Sequence, residues 1–362
     1  MFFRLHVLKF IFCLVSILLL AACATTKQQN ETAPFWPALP DLPRFQYELS
    51  LRSDLSISKP GASVKKFRNF MTGRNKRASI YFLKPFDVAA RGGRIIVSDS
   101  VTHGVYLFDV PLRKLYIFGL RGKGRLLKPL GVAVDNNINF YVADVSKRCV
   151  TVYNSNGHFL RFIGNSKDLD RPTDVAVSRD GSRIYVIDVG GVKSMNHRVV
   201  VYNAEGKKLF TIGERGRSEG KFNLPTHGAV APDGTLYVLD TGNFRVQAFD
   251  RNGRFLRTWG EAGLGFGQFA RPRGIAVDDD GNVYVTDARF GNFQIFDPKG
   301  RLLLAVGRWG LEDKPGRYSL IAGVAVDETG RIYVVDQRFK KVDVIRRLSE
   351  NEGRQIKQKY RR

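Results

Sequence analysis

Cysteine, histidine and acidic residues are all scarce in this sequence, and each shortage removes a class of answer. Three cysteines occur in 362 residues, Cys13, Cys23 and Cys149. The first two lie in an N-terminal segment that processing would remove or modify, so Cys149 alone remains as a thiol and no intrachain disulfide can staple the mature chain. The fold must stand on its own core, and Cys149, at the start of a strand-like run, reads as a small packed hydrophobe. Of five histidines, His6 falls in the same N-terminal segment, which leaves His103, His158, His197 and His227. Asp and Glu number 34 against 58 Lys and Arg, a formal charge of +24. There is no Ser-His-Asp constellation, no Walker loop and no dinucleotide fingerprint. After the N-terminal segment no apolar run approaches the roughly 20 residues that a membrane-spanning helix needs.

What is present begins with an export address. Arg4 and Lys9 flank or interrupt an apolar run, Phe10 to Leu20, that ends in Leu20-Ala21-Ala22-Cys23. The run is short for a membrane span and right for a cleaved signal peptide. Leu-Ala-Ala-Cys resembles the bacterial lipobox, and the resemblance implies that Cys23 is lipidated and becomes the first residue of the mature protein. Several acyl chains, at about 0.8 kcal/mol per buried methylene, would hold it on a membrane. Ala24 rather than Asp follows, which by the same resemblance favours the outer membrane, facing the periplasm. Pro34, Pro37, Pro40 and Pro43 then predict an extended, semi-rigid tether.

Internal repetition decides the fold. Pro85, Pro129, Pro172, Pro225 and Pro272 each open a similar block, and a sixth, without proline, begins near Leu320. Every block reads as four short strands. The first carries alanine at a matching position (Ala89, Ala133, Ala176, Ala229, Ala276, Ala325), as expected where strands crowd round an axis. The second ends in aspartate each time: Asp99, Asp144, Asp188, Asp240, Asp287 and Asp336. An Asp at that place readily accepts backbone N–H bonds in the following turn, so these six are expected to cap turns rather than to catalyse. The sixth block lacks a last strand. Phe45 to Leu51, alternating with period two, is predicted to supply it by pairing with Val342 to Ile345 and closing the ring. Ser63 to Phe70 is predicted to form a short basic amphipathic helix. The expected organisation is therefore a signal peptide (1–22), a lipidated cysteine and Pro-rich tether (23–44), an all-β, six-bladed β-propeller of four-stranded blades closed by an N-terminal strand (45–347), and a basic polar tail (348–362).

The blocks resemble NHL repeats, best in Leu236-Tyr237-Val238-Leu239-Asp240-Thr241-Gly242-Asn243-Phe244-Arg245-Val246-Gln247-Ala248-Phe249-Asp250. With the lipobox and Trp-Pro linker, the chain also resembles a group of bacterial NHL lipoproteins that mostly have no assigned activity. Two enzyme families share the architecture. Peptide-amidating lyases hold zinc with three axial histidines, whereas here only His227 opens a first strand, the matching residues being Asp87, Gly131, Asp174, Gly274 and Gly323. Lactonase-type propellers use Glu, Asn and Asp around calcium, and no axial Glu or Asn is present. No cofactor is expected. The leading reading is a non-catalytic binding or scaffold lipoprotein of the cell envelope; the alternative is a lyase or lactonase-like hydrolase with a divergent metal site around Asp87, Asp174 and His227.

The charge points to anionic partners. Removal of Arg4 and Lys9 with the signal would leave +22. Strand order places the second-to-third and fourth-to-first connections on one basic face, so the candidate ligand-binding residues are Arg245, Arg273, Arg289 and Arg338 with Phe244, Phe290, Phe339 and His227. Arginine grips phosphate or carboxylate at two points and stacks on aromatic rings. For any single arginine the competing expectation is a pairing with a nearby aspartate. Outside the cytoplasm the partners expected are lipopolysaccharide, an acidic glycan, anionic lipid or an acidic protein; nucleic acid would require release or uptake.

Overall fold

In the second and third strands of each block, apolar residues run almost without interruption, as in Arg183-Ile184-Tyr185-Val186-Ile187-Asp188, which suits strands covered on both faces. A computed structural model of the chain, describing residues 33–57, 80–191 and 193–360, shows what covers them. The signal-like segment, Cys23 and Ser63 to Phe70 lie outside the described residues. Six antiparallel blades stand around an axis, each with its first strand innermost and fourth outermost. Blade four illustrates the order: Pro225–Val230, Leu236–Asp240, Arg245–Phe249 and Phe255–Trp259. The core is divided among six apolar clusters, each filling the wedge between two neighbouring blades. The six alanines lie in or against these clusters, where innermost strands approach each other. Outermost strands, covered on one side only, alternate, as Phe159–Ile163 does between half-buried and exposed.

Ring closure follows the sequence expectation. Phe45–Leu51 pairs antiparallel with Lys341–Arg347, with Tyr47 opposite Ile345 and Leu51 opposite Val342. Phe45 is buried in the cluster between blades five and six, and Leu51 in that between blades six and one. The closing strand thus bolts two wedges. A polar tie accompanies it: Ser50 Oγ donates to the buried Asp343 carboxylate at 2.6 Å, and Lys341 Nζ lies 2.9 Å from the same group.

One expectation needs correction. Over residues 34–44 the chain is no free tether, because Phe35–Trp36 folds back as a fifth strand on blade six, with Trp36 opposite Phe45. Within the basic polar tail the chain is also ordered. Glu350–Lys359 is a helix whose Ser349 and Glu352 form a capping box, Ser349 Oγ accepting from the Glu352 N–H and the Glu352 carboxylate accepting from the Ser349 N–H at 2.8 Å. Its buried Gly353 faces the Pro43 carbonyl, where a Cβ would collide. Tyr360 meets the Phe35 ring at 5.7 Å, so the C-terminal helix is held to the short strand that precedes the closing strand.

Candidate functional site

The six strand-ending aspartates build the face on which function must be sought. All six are fully buried, and each accepts hydrogen bonds from the loop leading into its own blade. Asp287 shows the pattern: it takes the N–H of Ala270 and Arg271 at 2.8 and 2.9 Å on one oxygen, and the N–H of Arg289 at 2.8 Å on the other. One carboxylate therefore fixes a fourth-to-first and a second-to-third loop together. The capping of the following turn expected from sequence is present for Asp99, Asp144, Asp287 and Asp336, whereas Asp188 and Asp240 accept there from the guanidinium groups of Arg198 and Arg245. All six also reach the loop before their blade, which the local turn rule does not mention.

This stitching holds a ring of cations. The residue directly before the innermost strand is Lys84, Lys128, Arg171 and Arg271 in blades one, two, three and five, and each backbone N–H is bound by its blade's aspartate. All four side chains are exposed. Because the innermost strands neighbour one another round the ring, their starting ends surround one axial mouth. The signal is in the sequence as a basic residue before each of four blade-opening prolines, visible only when the loops are aligned by repeat position.

Just inside the mouth, every innermost strand carries a β-bulge. In blade one Pro85 faces Asp99 and Val88 faces Val97, so one extra residue is accommodated, and the same shift recurs in the other five blades. Bulges re-aim side chains. Here they present the third residue of each strand toward the axis: Asp87, Gly131, Asp174, His227, Gly274 and Gly323. Asp87, Asp174 and His227 converge, with one donor atom of each within 4.8 Å of the others, and all three are buried. Glycine makes the room. A Cβ at position 131 would land on the Asp174 carboxylate, and one at 323 on that of Asp87.

The electrostatics of this trio are those of groups withdrawn from water. Burial pushes the Asp87 carboxyl up to about 7. Asp174, buried and then further disfavoured by the Asp87 charge, is raised well above the carboxylate range. The His227 imidazole goes the other way, down to about 3, through burial first and the charge of Arg273 second. Each carboxylate has one oxygen engaged by the adjacent blade, Asp87 by the Val132 N–H at 2.9 Å and Asp174 by the Gly228 N–H at 2.8 Å. Oδ1 of Asp174 and both ring nitrogens of His227 have no hydrogen-bond partner. Two oxygen donors and a neutral imidazole are a set that could hold a divalent cation.

The structure separates the eight residues proposed from sequence. Arg245 is absorbed by the fold: Nε bonds Asp240 at 2.9 Å, and the guanidinium also donates to the carbonyls of Ser218 and Lys221 at 2.8 and 3.0 Å. Its strand register, Asp240 opposite Arg245, makes that pairing local. Arg289 and Arg338 are exposed on the basic face. Phe244, Phe290 and Phe339 are half-buried: Phe244 packs against the cluster between blades four and five, and Phe339 lies under the Lys341 ammonium at 5.6 Å. Arg273 differs from all of these. It occupies the bulge of blade five, half-buried, and no described acceptor takes a hydrogen bond or ion pair from it. Burial and the neighbouring Arg271 both hold its pKa below the ordinary arginine value. Arg273 therefore joins the axial residues, whereas Arg245 does not.

Comparison with known proteins agrees with this architecture. The NHL repeat model matches residues 222–249 and 269–296, the body of blades four and five. Protein brain tumor of Drosophila melanogaster is 34% identical over 139 residues, an alignment covering 36% of this chain and 12% of that protein, so the chain spans only about an eighth of its relative. A gluconolactonase of Xanthomonas campestris superposes with a TM-score of 0.56 at 21% identity, over 74% of this chain and 87% of its own. A streptogramin B lyase gives 0.54 at 11% identity, over 74% and 95%. At such identities the likeness is one of fold. With the repeat matched in two blades and six blades closed in a ring, the chain is a six-bladed β-propeller whose blades four and five carry NHL repeats.

Proposed function

We propose that the protein binds an anionic ligand, such as an acidic glycan or the phosphates of lipopolysaccharide, at the axial mouth of the propeller. One observation carries the reading: Arg273 is a half-buried guanidinium without a counter-ion among the described residues, ringed by Lys84, Lys128, Arg171 and Arg271. A partly desolvated cation with no partner is costly by itself and strengthens any anion that reaches it. Arg289 and Arg338 extend the field outward. On this reading the protein is exported and held at a membrane by lipid on Cys23, so that the mouth faces ligands of the cell envelope.

The test replaces Arg273 by Gln alone, then together with K84Q, K128Q, R171Q and R271Q, and measures binding of purified lipopolysaccharide and of an acidic polysaccharide across ionic strength. The single change is expected to weaken binding at least tenfold and the fivefold change to abolish its salt dependence. Unaltered affinity in the fivefold variant would refute the reading. A second reading, lactonase-like or lyase chemistry on the axis, draws on the convergence of Asp87, Asp174 and His227. It requires turnover of a lactone or cyclic ester that D174N eliminates.

A further inference from the structure

We propose that Asp87, Asp174 and His227 form a binding site for one divalent first-row transition ion, of the zinc or manganese kind, on the propeller axis. The inference does not depend on anion binding at the mouth. Among the described residues no other three His, Cys, Asp or Glu side chains bring donor atoms so close together. Proximity alone would be weak, but the donors are also unspent: both ring nitrogens of His227 and Oδ1 of Asp174 are buried and bonded to nothing. Buried polar groups without partners are rare, because each forfeits its hydration. Their cost falls away if a cation sits between them.

The surroundings are arranged as metal surroundings are. Val132 and Gly228 donate backbone N–H groups to the second oxygens of Asp87 and Asp174, which orients the first, the service that outer hydrogen bonds give to ligating carboxylates. The His227 ring is steadied by Phe86, stacked at 5.9 Å with an interplanar angle of 18°. Once deprotonated on binding, the two carboxyl groups would match a dication in charge. The imidazole argues against calcium and magnesium, which take oxygen ligands in sixes or more.

Spacing leaves a modest adjustment. Tetrahedral donors at about 2.0–2.1 Å from zinc are roughly 3.3 Å apart, so donors within 4.8 Å of one another close by about 1.5 Å at most, within reach of side-chain rotation. Three protein ligands leave the remaining position for water or a ligand entering from the mouth.

Isothermal titration of the untagged full chain, stripped with chelator and dialysed, tests the site with Zn²⁺ and with Mn²⁺, using Ca²⁺ as comparator. One equivalent of Zn²⁺ is expected with micromolar Kd or tighter, Ca²⁺ at least a hundredfold weaker, and a melting temperature that rises with Zn²⁺. H227Q and D174N should each weaken Zn²⁺ at least a hundredfold, while H158Q, in an exposed hairpin turn, should leave it unchanged. Because an axial aspartate variant could misfold, Co²⁺ spectroscopy of the wild-type chain provides an independent readout: d–d bands of a four- or five-coordinate ion should appear and be lost in H227Q. Absence of a stoichiometric site tighter than 100 µM for both Zn²⁺ and Mn²⁺, or binding indifferent to H227Q, would overturn the proposal.

Discussion

Truncating the closing strand at its two buried ends tests how the ring is held. Phe45 is 7% exposed and Leu51 2%, and they belong to different wedges. Leu51→Ala removes a buried isobutyl group and should cost about 3 kcal/mol; Phe45→Ala, leaving a larger cavity, should cost about 4 kcal/mol. Six residues of strand separate them by about 20 Å. With no shared cluster the effects should add, giving about 7 kcal/mol for the double variant. That is comparable to the roughly 5–15 kcal/mol by which whole domains are stable. Guanidinium unfolding of the soluble domain should show the loss as a lower midpoint at constant slope, and heating a fall of about 2 °C or more per kcal/mol. Glu48→Ala on the same strand supplies the contrast, since its 2.8 Å ion pair with Arg331 is solvent-exposed and worth under about 1 kcal/mol. If Leu51→Ala and Phe45→Ala each stay within about 1 kcal/mol of wild type, or if Glu48→Ala is as damaging as either, the strand does not bolt the ring as described.

Three further outcomes are expected. Asp287→Asn keeps the size of the side chain but turns an amide toward backbone N–H groups of two loops; a loss of about 2–4 kcal/mol is expected from the orphaned donors, read by denaturant unfolding. Gly323→Ala drives a Cβ onto the Asp87 carboxylate and should lower the melting temperature, whereas Gly122→Ala, whose Cβ meets nothing, should cost only the strain of its φ of +72°. Glu352 is held down to about 2 by the Ser349 N–H, then by Arg346 and the Ser349 hydroxyl. A depressed acid stabilises the fold above its unfolded pKa and releases that stability as pH falls toward the folded value, so amide protection of the helix Glu350–Lys359 should decline between the ordinary glutamate range and about pH 2, and Glu352→Gln should already show the loss at neutral pH.

The blades and their closure were legible because they rest on repetition and on period-two alternation, which a sequence carries openly. What escaped has a different physical origin. The helix Glu350–Lys359 is too short to persist unaided, and it forms against Leu42 and Pro43, a contact that no local pattern announces. Ser349 and Glu352 did carry the S-x-x-E signature, but without an apolar run behind it to mark a helix. For Arg245 the competing expectation, pairing with a nearby aspartate, is the one the structure shows. The register of Asp240 opposite Arg245, repeated by Asp188 opposite Arg198, could have been inferred from the hairpin and predicts an internal pair.

The axial residues show why the repeat is so informative about fold and so reticent about function. The bulge that aims the third residue of each innermost strand at the axis recurs six times, and nothing in its backbone hydrogen bonding demands a particular side chain there. Space does make a demand. Asp174 can occupy the axis only if position 131 lacks a Cβ, and Asp87 only if 323 does. Filled and empty positions are therefore chosen together, and the order Asp87, Gly131, Asp174, His227, Gly274, Gly323 is a packing solution as much as a chemical one. A reading that compares each block with the consensus of the six treats Asp87, Asp174 and His227 as three separate departures. Seen down the axis they are one departure, and the glycines beside them in the neighbouring blades are part of it. In a ring of equivalent blades, chemistry enters where equivalence is broken, and the residues that compensate the break mark its location as surely as those that make it.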